Sequence, residues 1–371
     1  MSFRICFVAP TAYPVLAGSR DIKFVGGAEV QQVFLAQELA RRGHIVSMIS
    51  MDHGQREGDS IKGVRLFKMY APDAGLPVLR FIHPRWTSIW RAMKRANAEI
   101  YYQRAAGAAT GFVVSFAAVH RRYSVYAAAH DLEFDPTVPQ VRYSRDKYLF
   151  RYGARNADRL VVQSDRQVMA CRETFGREST CIKSCYGYEG ESGMQQGRIL
   201  WVGNVKPIKR PELFLDLAEK LPQFRFRLVG GPAAGAAHFE VLRRRAETLG
   251  NVEMVGFIPY SDVEQHFDGA SILINTSDGE GFPNTFMQAW SRGIPTVSFF
   301  DSGAKYQGAE VGEVVPDVES MARVVKTIKV DAGVWLEKSA TSAAYFRQHH
   351  TVTKVVDDYE RLFDSLSTVP R

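Results

Sequence analysis

The chain has 371 residues, 46% of them hydrophobic and 23% charged, the make-up of an ordinary soluble globular protein. No run approaches the roughly 18 apolar residues of a membrane span, and the length exceeds one typical core, so two domains of roughly 150–200 residues are expected. The net charge of +7 is uneven: residues 1–185 carry 27 Lys and Arg against 16 Asp and Glu (+11), and the remainder 20 against 24 (−4), which fits either an anionic partner for the first half or a solvated basic surface that aids solubility.

In chain order, Ile5–Ala9 is a short apolar run that reads as a first buried strand, with no signal peptide before it. A polar loop follows through Gly26-Gly27, and residues 28–42 place Val30, Val33, Phe34, Ala36, Leu39 and Ala40 at helical spacing, with Gly43 as the stop. Ile45–Ile49, Ser124–Ala129 and Arg159–Gln163 are further strand runs, and strands alternating with helices predict a parallel, doubly wound sheet. Tyr186–Gly193 is Gly-rich and aperiodic, the best linker candidate. The pattern then restarts: strand 199–203, helix Pro211–Lys220, strand Phe224–Val229, helix Phe239–Leu249, strand Val252–Val255, strand 270–275 and strand 293–299. The tail, from Ala343 past Tyr359 to Phe363, reads as one long amphipathic helix.

Cys6, Cys171, Cys181 and Cys185 lack the companions of a zinc or disulfide framework, so reduced thiols, no metal and a cytoplasmic protein are expected. His83 to Arg95 combines Trp86 and Trp90 with cations at helical spacing, and Arg142, Arg145, Lys147, Arg151 and Arg155 form a second basic stretch. Two readings stand for the first stretch. Either it meets anionic lipid headgroups, or Trp86, Ile89, Trp90 and Met93 face the core while the arginines reach water. No recognition motif accompanies the charge, so nucleic acid is not an expected partner.

The second half carries the chemistry. Four successive strands end in turn-forming, ligand-compatible loops: Gly203 to Arg210, Gly230-Gly231-Pro232, Gly256-Phe257-Ile258-Pro259, and Glu280-Gly281-Phe282. In one parallel sheet all four open onto the same edge, where open α/β sheets hold their ligands. Lysines and an arginine at the first of these turns suit a diphosphate, and Asp278 to Trp290 sets an acidic residue and a Gly-Phe-Pro turn just ahead of a helix.

The order of these loops resembles the donor domain of glycosyltransferase family 4 (group 1), retaining enzymes of the GT-B fold. The stretch Glu280 to Gln288 is similar to that family's signature of two glutamates separated by seven residues. The likeness extends over nearly the whole chain, including Gly26-Gly27-Ala28-Glu29, His130-Asp131, Asp158 to Ser164, the Lys209 loop, and Tyr345-Phe346 with His350. It implies two facing Rossmann-like α/β domains with an interdomain cleft: an acceptor-side domain at 1–186, a nucleotide-sugar domain at 194–342, and a crossover helix at 343–371 packing back on the first.

The same resemblance implies the residue roles. Lys209 would hold the donor diphosphate, with Arg210 near it and Asn204 standing where the family usually has arginine. The backbone from Gly281 and Phe282 through Pro283, Asn284 and Thr285 would bind phosphate. Glu280 would accept hydrogen bonds from hydroxyls of the transferred sugar, and Gln288 stands at the place of the ribose-binding glutamate. Phe257 and Ile258 would contact the base, Gly27 would allow close backbone approach to the phosphates, and His130 would face the sugar. His130, Glu280 and Lys209 form the implied catalytic set, with a UDP- or GDP-sugar as donor, a glycan or lipid-linked acceptor, no cofactor and no metal. The implied activity is retaining transfer in bacterial surface-polysaccharide assembly, at the inner face of a membrane. The alternative, motivated by Asn204 and Gln288, is a degenerate GT-B protein that binds nucleotide sugar or glycan without turnover.

Overall fold

A computed structural model describes residues 2–19, 26–76, 79–187, 192–233 and 236–366. They form two compact units, the first from residues 2–19, 26–185 and 352–366, the second from the described residues between 186 and 351. Part of the predicted linker, 188–191, and the last five residues of the predicted closing helix lie outside the described residues.

The first unit is built on β1 (Arg4–Val8), α1 (Tyr13–Ala17), α2 (Gly27–Arg41), β2 (Ile45–Ser50), β3 (Ser60–Ile61), β4 (Val64–Lys68) and α3 (Thr87–Ala96). It continues through β5 (Ile100–Arg104), α4 (Ala108–Val119), β6 (Tyr123–Ala127), α5 (Ser144–Asn156), β7 (Arg159–Val162), α6 (Asp165–Phe175) and β8 (Thr180–Cys181). The sheet order is β3-β4-β2-β1-β5-β6-β7-β8, parallel except for the β3–β4 hairpin. Its inner strands are apolar on both faces, because helices cover both sides, and that is why they read as continuous runs in the sequence. Phe7, Met48, Ile100 and Val125 sit in one core cluster, and Cys6, Ile49 and Tyr101 in another.

Helices α4 and α5 pack at glycines. A Cβ on Gly153 would lie 2.7 Å from the backbone of Thr110, and one on Gly111 would lie 2.6 Å from the carbonyl oxygen of Leu149. Backbone cannot yield as a flexible side chain does, so Gly153→Val is expected to destabilise the first unit by about 1–3 kcal/mol. Urea unfolding monitored beside the wild type checks this.

The second unit contains β9 (Ile199–Val202), α7 (Pro211–Lys220), β10 (Phe226–Val229), α8 (Ala236–Leu249), β11 (Val252–Gly256), α9 (Tyr260–Val263), β12 (Ile272–Asn275) and α10 (Asn284–Trp290). It is completed by β13 (Thr296–Ser298), the hairpin β14 (Lys305–Tyr306) and β15 (Ala309–Glu310), β16 (Glu313–Val314), α11 (Val318–Val330) and α12 (Ala332–His349). Its six-stranded sheet, β11-β10-β9-β12-β13-β16, is parallel throughout. The carboxyl ends of β9, β10, β11 and β12 therefore share one edge, as the loop pattern predicts.

The tail differs from the single helix expected at 343–371. Residues 343–349 are the last turns of α12 and belong to the second unit, and a separate helix, Val352–Leu366, belongs to the first. The helix ends at His350, whose φ of −123° leaves the helical range. The final helix buries Val355, Val356, Tyr359, Leu362 and Phe363 in the first unit's core. Arg42 of the turn after α2 reaches Asp357 at 2.7 Å, Glu360 at 2.6 Å and the Thr353 carbonyl at 2.9 Å, and the Tyr102 and Tyr359 hydroxyls meet at 3.1 Å.

Candidate active site

At the edge of the second sheet the structure brings together residues far apart in sequence. The chain leaves β9 through a short 3₁₀ turn, Pro207–Lys209, and Arg210 takes a left-handed conformation (φ 43°) that turns it into α7 at Pro211. This turn is laced to the loop after β12: the Thr276 hydroxyl donates to the Lys209 carbonyl at 2.6 Å, and the Asp278 amide to the Ile208 carbonyl at 3.1 Å. Trp201 of β9 donates its indole N–H to the Thr276 hydroxyl at 2.9 Å. The two loops are thus one rigid piece, 70 residues apart in sequence and adjacent in the fold.

That lacing sets Lys209 and Glu280 side by side. The Lys209 ammonium donates to Glu280 Oε1, which also accepts from the Ser277 hydroxyl at 2.9 Å and from the Asn275 side-chain amide at 3.5 Å. Both side chains are mostly covered. A mostly covered cation thus stands beside a carboxylate held by three donors, an arrangement able to pair with anionic oxygens and to accept from hydroxyls. Asn275, Thr276 and Ser277 were not singled out from the sequence. Their signal was only that they are polar residues at the mouth of an apolar strand.

Arg210 engages the loop after β12. Its guanidinium donates to the Thr276 carbonyl at 2.9 Å and the Ser277 carbonyl at 3.4 Å, pairs with Asp278 at 2.8 Å, and lies over the Phe299 ring. It holds the Glu280 loop from behind. Asn204 lies at the β9 mouth, partly covered, where Val205 bonds across to Gly231 at 3.0 Å. The first two strand mouths touch through glycine, since a Cβ on Gly230 (φ 158°) would fall 1.8 Å from the Gly203 carbonyl oxygen. Phe257 is 38% exposed and packs against Gly231, with Ile258 partly covered beside it.

The Gly281-Phe282-Pro283 turn leads into α10, whose residues Asn284 and Thr285 are partly covered. The Phe282 ring stacks on His350 at 4.8 Å and meets the edge of Trp290 at 5.8 Å, so its side chain anchors the turn to α10 and to the end of α12. Gln288 is buried and its Nε2 donates to Glu264 Oε1 at 2.8 Å. Glu264 in turn pairs with Arg292 at 3.2 Å and accepts from the Tyr186 hydroxyl, while Arg292 also binds Asp268 at 2.8 Å. Burial and the Glu264 carboxylate both raise the Tyr186 phenol, so it stays a donor. Burial works against the Arg292 cation, but its bonds to Asp268 and Tyr186 outweigh that and raise its pKa.

In the first unit, His130 caps the 3₁₀ turn Asp131–Phe134: its Nδ1 accepts from the Leu132 amide at 3.1 Å, so the neutral ring carries its proton on Nε2. Glu133 closes the cap by accepting from the His130 and Ala129 amides, each at 3.0 Å, and from the Tyr126 hydroxyl. Burial pushes the Glu133 carboxyl up to about 7, against the pull of Tyr126, the two amides and Arg104. A raised carboxyl is still protonated in the folded chain where the unfolded chain has ionised. Its contribution is intact below about 4.5 and is lost as pH rises through about 7. Thermal unfolding between pH 5 and 8 should fall with pH, with a shallower slope in Glu133→Gln.

Gly27 opens α2, beside Gly26 and Glu29, whose carboxylate accepts from the Thr11 hydroxyl. Among the described residues no cluster of His, Cys, Asp and Glu could hold a metal ion, and no helix is long and apolar enough to cross a membrane.

Solved structures share this architecture. Sucrose-phosphate synthase from Thermosynechococcus elongatus matches with a TM-score of 0.77 at 16% identity, over 98% of each chain. The Anabaena protein HepE, in complex with UDP and glucose, matches with a TM-score of 0.74 at 16% identity, over 99% of this chain and 100% of its own. At such identities the likeness shows the fold, which is GT-B. The D-inositol 3-phosphate glycosyltransferase of Mycolicibacterium smegmatis is 28% identical over 178 residues, 44% of this chain. The match spans about two fifths of that relative's length (40%). The profile for Glycosyltransferase Family 4 matches residues 25–183, and that for Glycosyl transferases group 1 matches residues 196–330. Between them these profiles take in both units, and the chain belongs to the group 1, family 4 glycosyltransferases.

Proposed function

We propose that the protein transfers a sugar, with retention, from a nucleotide-diphosphate sugar to a glycan or lipid-linked acceptor. The observation that carries this reading is the Lys209–Glu280 pair, held by the lacing of the β9 and β12 loops. Lys209 neutralises the diphosphate and Glu280 accepts from hydroxyls of the sugar, with the turn at 281–285 and Asn204 beside the phosphates. The base lies against Phe257 and Ile258, and the second position of the signature, Gln288, faces the ribose. In the reaction the anomeric carbon's bond to phosphate oxygen breaks and its bond to the acceptor oxygen forms on the same face. The acceptor proton passes to the leaving phosphate, whose charge Lys209 stabilises without a metal.

UDP is the favoured nucleotide, since the fold neighbour HepE is a complex with UDP and glucose. Incubation with UDP-, GDP- and ADP-sugars should show slow donor hydrolysis for at least one, undiminished by EDTA. Binding without turnover for every donor, with cell-extract acceptors present, would establish the degenerate reading instead.

The acceptor side falls to the first unit, and its surface supports a lipid-linked acceptor at the inner face of a membrane, as in surface-polysaccharide assembly. The core-facing reading of the 83–95 stretch holds for Ile89 and Met93, which are buried, whereas Trp90 is half-buried and Trp86 is 41% exposed while stacking on Phe112. The second basic stretch joins it, with the Arg145 guanidinium 3.4 Å from the Phe81 ring centre. Exposed Leu79, Ile82 and Trp86 thus alternate in the chain with Arg80 and Arg85, with Arg145 over the Phe81 ring, an apolar and cationic mixture suited to anionic headgroups. Flotation with phosphatidylglycerol vesicles should recover the protein at low salt and lose it at high salt. Equal recovery on phosphatidylcholine alone would contradict this.

A further inference from the structure

The family's second signature carboxylate is replaced by Gln288, yet a carboxylate stands one hydrogen bond away. Glu264, in the short helical turn after β11, accepts from Gln288 Nε2 at 2.8 Å. Nothing in the sequence marks it, for it is 24 residues upstream in a stretch without a motif. Around it the packing is dense and polar. Its second oxygen takes the Tyr186 hydroxyl and Arg292 NH2 at 3.2 Å. The Arg292 side chain is wholly buried, bonded also to Asp268 at 2.8 Å and to the Gln288 carbonyl at 3.1 Å.

We infer that Glu264 is a positioning residue for the donor site, fixing the Gln288 amide so that its oxygen takes the acceptor role of the missing carboxylate. This rests on the donor-site reading above. A side-chain amide is ambivalent, with a carbonyl at one end and an NH2 at the other, whereas a carboxylate only accepts. An ionised Glu264 can bond only the NH2 end of Gln288. That choice leaves Oε1 as the opposite end of the amide, so the residue offers an acceptor as a glutamate would. Arg292 and Tyr186 hold the Glu264 carboxylate in place, and Arg292 braces the Gln288 backbone as well. The pair is therefore coupled: Gln288 needs a carboxylate at 264, and Glu264 excludes a carboxylate at 288. With glutamate at both places two carboxylates would meet at hydrogen-bond distance, sharing one buried arginine with Asp268.

The test is a four-member cycle of wild type, Glu264→Gln, Gln288→Glu and the exchanged double variant Glu264→Gln/Gln288→Glu. UDP and GDP binding are measured by calorimetry, and donor KM and kcat by hydrolysis, all well below each variant's Tm. Glu264→Gln frees the amide to turn and exchanges a charged hydrogen bond for a neutral one, and should weaken nucleotide binding and raise donor KM about tenfold with little change in kcat. Gln288→Glu, although it restores the family's residue, should also weaken binding. The double variant, in which an amide at 264 donates to a carboxylate at 288, should recover binding to near wild type. Wild-type binding in Glu264→Gln, or tighter binding in Gln288→Glu alone, would overturn the inference while leaving the donor site standing. A wild-type protein that binds neither nucleotide would overturn both. Should Glu264→Gln fail to fold, the double variant and Gln288→Glu still decide between coupling and independence.

Discussion

Replacing Glu280 by alanine is expected to lower donor turnover about 100- to 1,000-fold while the protein stays folded. Glu280 accepts three hydrogen bonds at the mouth of β12, from Lys209, Ser277 and Asn275, and none of those donors is part of the hydrophobic core. Loss of the carboxylate leaves Lys209 without its partner and removes an acceptor for the transferred sugar's hydroxyls. Kinetics of donor hydrolysis, with circular dichroism to show an unchanged fold, check the result. A variant with wild-type turnover would remove Glu280 from the chemistry. The counterpart at Arg210 has a different signature. Arg210→Ala removes the brace on Thr276, Ser277 and Asp278, so loss of activity should be accompanied by loss of stability.

Arg292→Ala should be the most destabilising single change in the second unit, by about 3–5 kcal/mol. The Arg292 side chain has no solvent exposure and joins Glu264, Asp268 and the Gln288 carbonyl. Deleting it leaves two partly buried carboxylates, Glu264 and Asp268, without the cation they share. A fall in Tm of roughly 10 °C or more is expected, read by calorimetry. A neutral partner set should soften the loss: Asp268→Asn in the Arg292→Ala background should recover part of the stability, because one stranded charge is gone. An additive double variant would show that the penalty is packing rather than charge.

The residues differ in how far the sequence revealed them. The four strand mouths of the second unit were legible because each couples an apolar run to a turn residue, and parallel neighbours must put those turns on one edge. Lys209 and Glu280 followed from that edge. The loop contacts of Arg210 did not, since its left-handed backbone turns the guanidinium back onto the β12 loop, and a conformation set by two loops together has no local sequence mark. Phe282 similarly reads as a turn residue, but its ring is taken by His350 of the chain's tail.

The boundary of the tail illustrates the same limit. Apolar spacing continues across Ala343 to Phe363, so periodicity joins what the fold separates, and only at His350 does the backbone leave the helix. The two helices belong to different units because their apolar faces fit different cores, and periodicity does not say which core.

By itself the sequence determined the two α/β units, the parallel order of strands and helices, and the loops that supply Lys209, Glu280 and Gln288. These follow from local rules: burial on both faces of a strand, helical spacing, and turn chemistry. Only the tertiary structure decided that Lys209 meets Glu280, that Arg210 serves the loop behind it, and that Gln288 leans on a buried Glu264. Those pairings join residues 24 to 71 positions apart. Their partners are chosen by packing and by the need to satisfy buried charge, which no short stretch of sequence encodes.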